Sequence, residues 1–104
     1  MAEVWTLGRW VAKPGQEEAF ADAWREMAEW TLGEFPGSVG TLLRDRERPN
    51  VFFSFGPWRD LEQAEAWRAM PGFGERVQRI RALLEDFEPH TLDPAAIVGG
   101  PAGG

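Results

Sequence analysis

The chain contains no cysteine and no tyrosine, and His90 is its only histidine. Without cysteine, disulfides, thiol nucleophiles and thiolate metal sites are all excluded. A single histidine also argues against a zinc site and against a Ser/His catalytic pair, because both depend on imidazole nitrogens. We therefore predict no metal site in this protein.

Long hydrophobic runs are absent as well. No apolar stretch approaches the roughly 18–20 residues that are needed to cross a bilayer. The first residues, MAEVW, lack the basic and apolar regions of a signal peptide. We expect a cytoplasmic protein that does not enter a membrane.

Positive charge is scarce, since the chain has 11 Lys and Arg against 17 Asp and Glu, a net charge of −6. Much of the acidic excess lies in one segment, at Glu17, Glu18, Asp22, Glu26, Glu29 and Glu34. Such a surface repels phosphate groups. Neither nucleic acid nor an anionic membrane surface is therefore expected as a partner.

Aromatic residues, by contrast, are abundant, with six Trp and seven Phe among 104 residues. Each ring buries on the order of 150–250 Å², and a domain of this size has a small core. Some of the rings are therefore expected in a ligand pocket or a subunit interface. We predict one domain over residues 1–98 and a flexible glycine-rich tail over residues 99–104.

Hydrophobic periodicity predicts an α+β chain with the element order β-α-β-β-α-β, which is a ferredoxin-like plait. The predicted strands cover residues 4–12, 38–45, 51–58 and 91–98. Pro89 and Pro94 confine the last of these strands to the edge of the sheet or to an irregular crossing, because proline has no N–H to donate.

The first helix is predicted over residues 16–33, and the second begins after a capping box formed by Asp60 and Gln63. Pro71-Gly72 breaks this second helix in two. Its second half is predicted to reach Phe87, because apolar residues recur at helical spacing. These residues are Phe73, Val77, Ile80, Leu84 and Phe87.

The third predicted strand is apolar on both faces. Alternation places Val51, Phe53 and Phe55 on one face, and Phe52 and Ser54 on the other. Both faces of this strand are therefore expected to need cover, which a chain of 104 residues can hardly supply alone. The first strand also carries large side chains on both faces, with Trp5, Leu7 and Val11 on one of them.

Two segments together resemble the antibiotic biosynthesis monooxygenase superfamily. They are VAKPGQEEAF at residues 11–20 and WRDLEQAEAW at residues 58–67, and the similarity extends over residues 4–98. The resemblance implies a ferredoxin-like subunit that dimerises through its sheet into a dimeric α/β barrel. It also implies a ligand cavity between the sheet and the helices of each subunit.

The resemblance further implies site residues. In the anthrone-oxidising branch, which needs no cofactor, Trp58 matches a site tryptophan and Arg76 or Arg79 matches a site arginine. Ser54 stands where that branch has asparagine, and Ala64 where it has tyrosine. We expect Trp58, Arg76 and Ser54 to be catalytic. The residues expected to contact substrate are Trp10, Trp24, Phe53, Phe55, Trp67 and His90.

Two functions remain open from the sequence. One is a cofactor-independent monooxygenase that acts on an aromatic or polyketide-like substrate. The other is a non-catalytic binding or accessory homodimer, in which Trp58 and Trp67 only pack. Haem degradation is not expected, because Gly8 replaces the asparagine of the haem-degrading branch and no histidine lies between Pro71 and Phe87.

Overall fold

A computed structural model describes residues 3–99. The elements are β1 (Val4–Ala12), α1 (Glu17–Glu34), β2 (Thr41–Arg44), β3 (Val51–Trp58), α2 (Leu61–Arg68), α3 (Pro71–Arg81) and β4 (Leu84–Leu92). The strands form an antiparallel sheet in the order β2-β3-β1-β4. This is the predicted ferredoxin-like α+β fold, with the second helix divided into α2 and α3. Residues 100–104 of the predicted tail lie outside the described part of the chain.

The start of α2 is fixed by the predicted capping box. Asp60 Oδ1 accepts a hydrogen bond from the backbone N–H of Gln63 at 2.8 Å. Gln63 Oε1 in turn accepts from the backbone N–H of Arg59 at 3.0 Å. The N–H of Gln63 lowers the pKa of Asp60, because it stabilises the ionised carboxylate. Pro71 then begins α3, at the position where a missing N–H costs nothing.

The prediction for the end of the chain was wrong. The last helix ends at Arg81 and not at Phe87, and β4 occupies residues 84–92 instead of 91–98. Leu84 pairs with Ala12 and Phe87 with Trp10, so four residues of β4 lie opposite three of β1. This β-bulge lets Leu84 and Phe87 face the same side of the sheet although they are three residues apart. The bulge therefore imitates the spacing of a helix.

Of the two arrangements expected for the last strand, the structure has the edge position. In the described sheet β4 pairs with β1 alone, and Pro89 lies opposite Gly8.

Two hydrophobic clusters lie between the sheet and the helices. The larger includes Trp10, Phe20 and Ile80, and the smaller consists of Val4, Trp58 and Ala64. Between them, the helix-facing positions of the two central strands carry small side chains. These four residues are Thr6, Gly8, Ser54 and Gly56, because Thr6 pairs with Gly56 and Gly8 with Ser54. The sheet is therefore nearly bare between the clusters.

No described element covers the opposite face of the sheet, which we call the open face. The register places on it the side chains of Trp5, Leu7, Val11, Leu43, Phe53, Phe55 and Leu92. Leu43 is 52% exposed and Leu92 is 44% exposed. Apolar groups thus remain in contact with solvent on this side of the chain.

Candidate active site

The bare part of the sheet forms the floor of a cavity of about 690 Å³ between the sheet and the helices. Large aromatic side chains form much of its wall. They are Trp10, Trp24, Trp58, Trp67, Phe73 and Phe87. Trp67 connects the two hydrophobic clusters, because its ring lies 4.9 Å from that of Trp58 and 4.8 Å from that of Phe73.

Two glycines allow other groups to lie directly on this floor. A Cβ at Gly8 would come within 2.8 Å of Trp10 Nε1 and 3.0 Å of Ser54 Oγ. A Cβ at Gly56 would come within 2.2 Å of the carbonyl oxygen of Val39. Gly8 therefore lets the Trp10 indole fold back over the sheet, and Gly56 lets the chain before β2 cross it.

Three tryptophans in the described chain donate their indole N–H groups to hydroxyls beside the cavity. Trp10 donates to Ser54 Oγ at 2.9 Å, and Trp67 donates to Thr31 Oγ1 at 2.9 Å. Trp58 donates to Thr6 Oγ1 at 3.3 Å, near the long limit of a hydrogen bond. The indole nitrogens are thereby satisfied, and the rings present apolar faces to the cavity.

The direction of these bonds fixes what each hydroxyl can still do. A hydroxyl that accepts an indole N–H keeps one hydrogen to donate. Thr31 uses its hydrogen within α1, donating to the Met27 carbonyl oxygen at 2.9 Å. Ser54 and Thr6 have no acceptor for theirs among the residues described. Both therefore keep a hydrogen that none of the described residues accepts.

The two arginines expected in the site do not border the cavity. Arg76 lies outside it, with its guanidinium 4.5 Å from the centre of the Trp30 ring and Nη1 donating to the Gly72 carbonyl at 3.2 Å. The position of Arg76 along its helix does not by itself reveal that the side chain packs on Trp30. Arg79, the alternative, pairs with Glu75 on the surface of α3. The arginines that border the cavity are Arg25, Arg68 and Arg81.

Three further residues expected to contact substrate lie on the other face of the sheet from Ser54. The register puts the side chains of Phe53, Phe55 and His90 on the open face, because β3 and β4 alternate strictly in this region. His90 Nε2 lies 3.3 Å from Glu88 Oε2 there. Phe55 and His90 nevertheless border the cavity, whereas Phe53 does not.

The remaining sequence candidates lie together. Ser54, Trp10, Trp24, Trp58 and Trp67 all border the cavity. Ala64, at the position where the resemblance implies tyrosine, is fully buried beside Val4 and Trp58. It contributes no polar group.

Residues 3–99 contain neither a metal-binding cluster nor a membrane-spanning helix. Within that range, no three His, Cys, Asp or Glu side chains are grouped so that they would hold a metal ion. None of the helices described is both long and apolar enough to cross a membrane.

Residues 6–79 match the model of the antibiotic biosynthesis monooxygenase family. The chain belongs to this family. The matched segment includes the cavity floor, the tryptophans on both sides of it and all of α2. No curated protein matches the chain.

Solved structures of this monooxygenase family share the fold. SnoaB from Streptomyces nogalater, described as a cofactor-independent oxygenase, is 25% identical, with a TM-score of 0.84, and the match covers 96% of this chain and 100% of SnoaB. A point mutant of SnoaB matches over the same shares with a TM-score of 0.85. A Chloroflexus aurantiacus protein is 22% identical, with a TM-score of 0.75 and 94% and 98% coverage. At that identity the likeness shows the fold alone.

Sequence reasoning missed Thr6, Thr31, Arg68 and Arg81. A signal for Thr6 was present, because Thr6-Leu7-Gly8 and Ser54-Phe55-Gly56 both carry small residues on one face of a strand otherwise lined by large ones. A pair of such gaps on neighbouring strands indicates a cavity. The rim arginines had no comparable signal.

Proposed function

We propose that this member of the family is a cofactor-independent monooxygenase that oxidises an electron-rich aromatic or polyketide-like molecule in the cavity. Family membership and the likeness to SnoaB support the reaction class. A cavity of about 690 Å³ is within the range of small-molecule sites, which is roughly 300–1,000 Å³. Its indole walls favour a flat, aromatic substrate.

The observation that carries the proposal is the hydrogen bond from Trp10 Nε1 to Ser54 Oγ at 2.9 Å. Because Ser54 accepts this bond, its own hydrogen stays available to donate, and accepting strengthens that donation. A donor at this point stabilises negative charge on a substrate oxygen. Ser54 therefore acts as a catalytic hydrogen-bond donor to the enolate or phenolate that reacts with oxygen.

The reaction balances with oxygen as the only oxidant. A ring-activated CH₂ group next to a phenol or enol loses two hydrogens and gains one oxygen atom, becoming a carbonyl. The second atom of O₂ leaves as water with those two hydrogens. The protein needs to hold the substrate as its anion and to exclude solvent. Ser54 stabilises the anion, and the aromatic walls exclude solvent.

Positive charge at the cavity rim favours the anionic substrate. Arg68 Nη2 is held by Thr91 Oγ1 at 2.8 Å, and the Arg81 guanidinium lies 5.5 Å from the centre of the Phe87 ring. Neither makes an ion pair with a carboxylate among the described residues. These arginines replace Arg76 as the groups that attract a negatively charged substrate.

Oxygen uptake with an anthrone as test substrate measures the activity directly. Ser54→Ala is expected to lower turnover about 100-fold, the usual loss when one donor to an oxyanion is removed. Ser38→Ala is the matched control, because Ser38 is the chain's other serine and no indole bonds to it in the described structure. Equal turnover in wild type and Ser54→Ala contradicts the role of Ser54.

The active protein is proposed to be a homodimer that associates through the open face. An uncovered apolar sheet face is typical of a subunit interface, and obligate dimers often bury more than about 2,000 Å². Leu43→Arg on the open face is expected to yield monomers in light scattering. Leu61→Arg, on the helix side and similarly exposed at 47% against 52%, is expected to remain dimeric. A monomeric wild type at micromolar concentration refutes the dimer.

One observation favours the alternative, a binding or accessory homodimer without catalysis. Ala64 is fully buried where a polar side chain is implied by resemblance to the anthrone-oxidising branch. The cavity then has fewer groups that touch substrate. Binding of an aromatic ligand without oxygen uptake supports this alternative over the monooxygenase.

A further inference from the structure

We infer that Thr6 is a second hydrogen-bond donor of the site, and that the ligand is an aromatic molecule carrying two oxygen atoms along one edge. The inference rests on the proposed function in one respect, that the cavity binds its ligand against the sheet. The inference extends the proposed function by giving Thr6 a role and by specifying where the ligand carries its oxygen atoms.

The geometry of the floor supports this assignment. Thr6 lies opposite Gly56, and Ser54 lies opposite Gly8, so the two hydroxyl residues are diagonal neighbours on β1 and β3. Diagonal neighbours in an antiparallel pair are about 7–8 Å apart, with their side chains on the same face. Both hydroxyl residues border the same cavity. One flat ligand lying across the strands reaches both.

The tryptophans orient both hydroxyls in the same sense. Trp58 Nε1 donates to Thr6 Oγ1 at 3.3 Å, as Trp10 Nε1 donates to Ser54 Oγ at 2.9 Å. Trp58 is held in place, since it is 7% exposed and its ring lies 5.5 Å from that of Phe35 in an edge contact. Each hydroxyl oxygen thus accepts an indole N–H from a fixed direction and keeps its own hydrogen to donate. The site presents two donors to two ligand oxygens.

Thr31 provides an internal comparison. It also borders the cavity and accepts an indole N–H, at 2.9 Å from Trp67. Its hydrogen, however, is already donated to the Met27 carbonyl at 2.9 Å. Thr6 and Thr31 therefore share residue type and an indole partner, and they differ in whether a hydrogen is free.

Titration of tryptophan fluorescence tests the inference, with 1-hydroxyanthraquinone and anthracene as probes. Wild type is expected to prefer the oxygenated probe, and Thr6→Val to reduce that preference about three- to tenfold, as for one hydrogen bond. Thr6→Ser keeps the hydroxyl and is expected to restore the preference. Thr31→Val removes a hydroxyl with no free hydrogen and is expected to leave the preference unchanged.

The outcomes separate this inference from the proposed reaction. A preference that is unchanged in Thr6→Val, or reduced equally in Thr31→Val, overturns the role of Thr6 whatever the turnover. A wild type that binds neither probe overturns it as well. A preference that depends on Thr6, in a protein that takes up no oxygen with an anthrone, supports the second donor while refuting the monooxygenase.

Discussion

Substitution of Gly8 by alanine tests how the cavity floor is built. The added Cβ would lie 2.8 Å from Trp10 Nε1 and 3.0 Å from both Trp10 Cε2 and Ser54 Oγ. Real Cβ contacts are longer, so the indole has to move away from the sheet. Trp10 is 6% exposed and stacks on Phe87 at 4.2 Å, which leaves it little room to move.

The expected loss of stability follows from two effects. Overpacking of a core costs about 1–3 kcal/mol, and the lost bond to Ser54 adds about 1 kcal/mol. Replacing glycine recovers about 0.4–1 kcal/mol by restricting the unfolded chain. Gly8→Ala is therefore expected to lose about 2 kcal/mol, a fall in melting temperature of roughly 10 °C for a domain of this size.

Gly74→Ala is the matched control, because Gly74 lies within α3 and a Cβ there would meet no atom within 4 Å. It is expected to raise the melting temperature by several degrees, since alanine favours a helix by about 1 kcal/mol. Melting is measured at one protein concentration, and the Trp10 indole N–H resonance is assigned with Trp10→Phe. A Gly8→Ala protein that melts with wild type and keeps this resonance unshifted refutes the packing argument.

Four other outcomes are expected. Trp67→Ala should lower the free energy of unfolding by about 3 kcal/mol, measured by urea titration, because it removes two aromatic contacts and one hydrogen bond. Arg76→Gln should destabilise by about 1 kcal/mol without loss of turnover, whereas Arg79→Gln should stay within about 0.5 kcal/mol, in the same titration. Asp60→Ala should melt earlier than wild type at neutral pH. Folding lowers the pKa of Asp60 from 3.8. The difference in melting temperature between wild type and Asp60→Ala should therefore be complete above pH 3.8, and it should vanish as the pH falls through the lower pKa of the folded protein. Hemin should give no sharp, shifted Soret band, and a stoichiometric complex would contradict this expectation.

Local chemistry in the sequence predicted much of the fold. Proline and glycine punctuation, the capping box at Asp60 and the alternation within the strands gave the element order and the faces of β1 and β3. The stripe of Leu84 and Phe87 misled, because a β-bulge opposite Val11 and Ala12 brings two residues three apart to one face. Whether a spacing of three means a helix or a bulged strand depends on a pairing partner more than 70 residues away in the chain.

The site was predictable only in part, for a related reason. Large apolar side chains are easy to recognise in a sequence as candidates for a cavity wall. Trp10, Trp24, Trp58 and Trp67 were identified in this way, and the structure places all four beside one cavity. The positions of the long arginine side chains could not be predicted in this way, because each has many rotamers. Tertiary packing determines which group a guanidinium contacts, as in the packing of Arg76 on Trp30.

By itself, the sequence determined the charge of the protein, the absence of thiol chemistry and the order of its elements, since these depend on residue type and near neighbours. Only the tertiary structure decided where the sheet is bare, because that requires the register of β1 against β3. It also decided which hydroxyls still have a hydrogen to donate. Thr6 and Thr31 have the same side chain, and they differ because Thr31 lies in a helix whose Met27 carbonyl takes its hydrogen, while Thr6 lies in a strand.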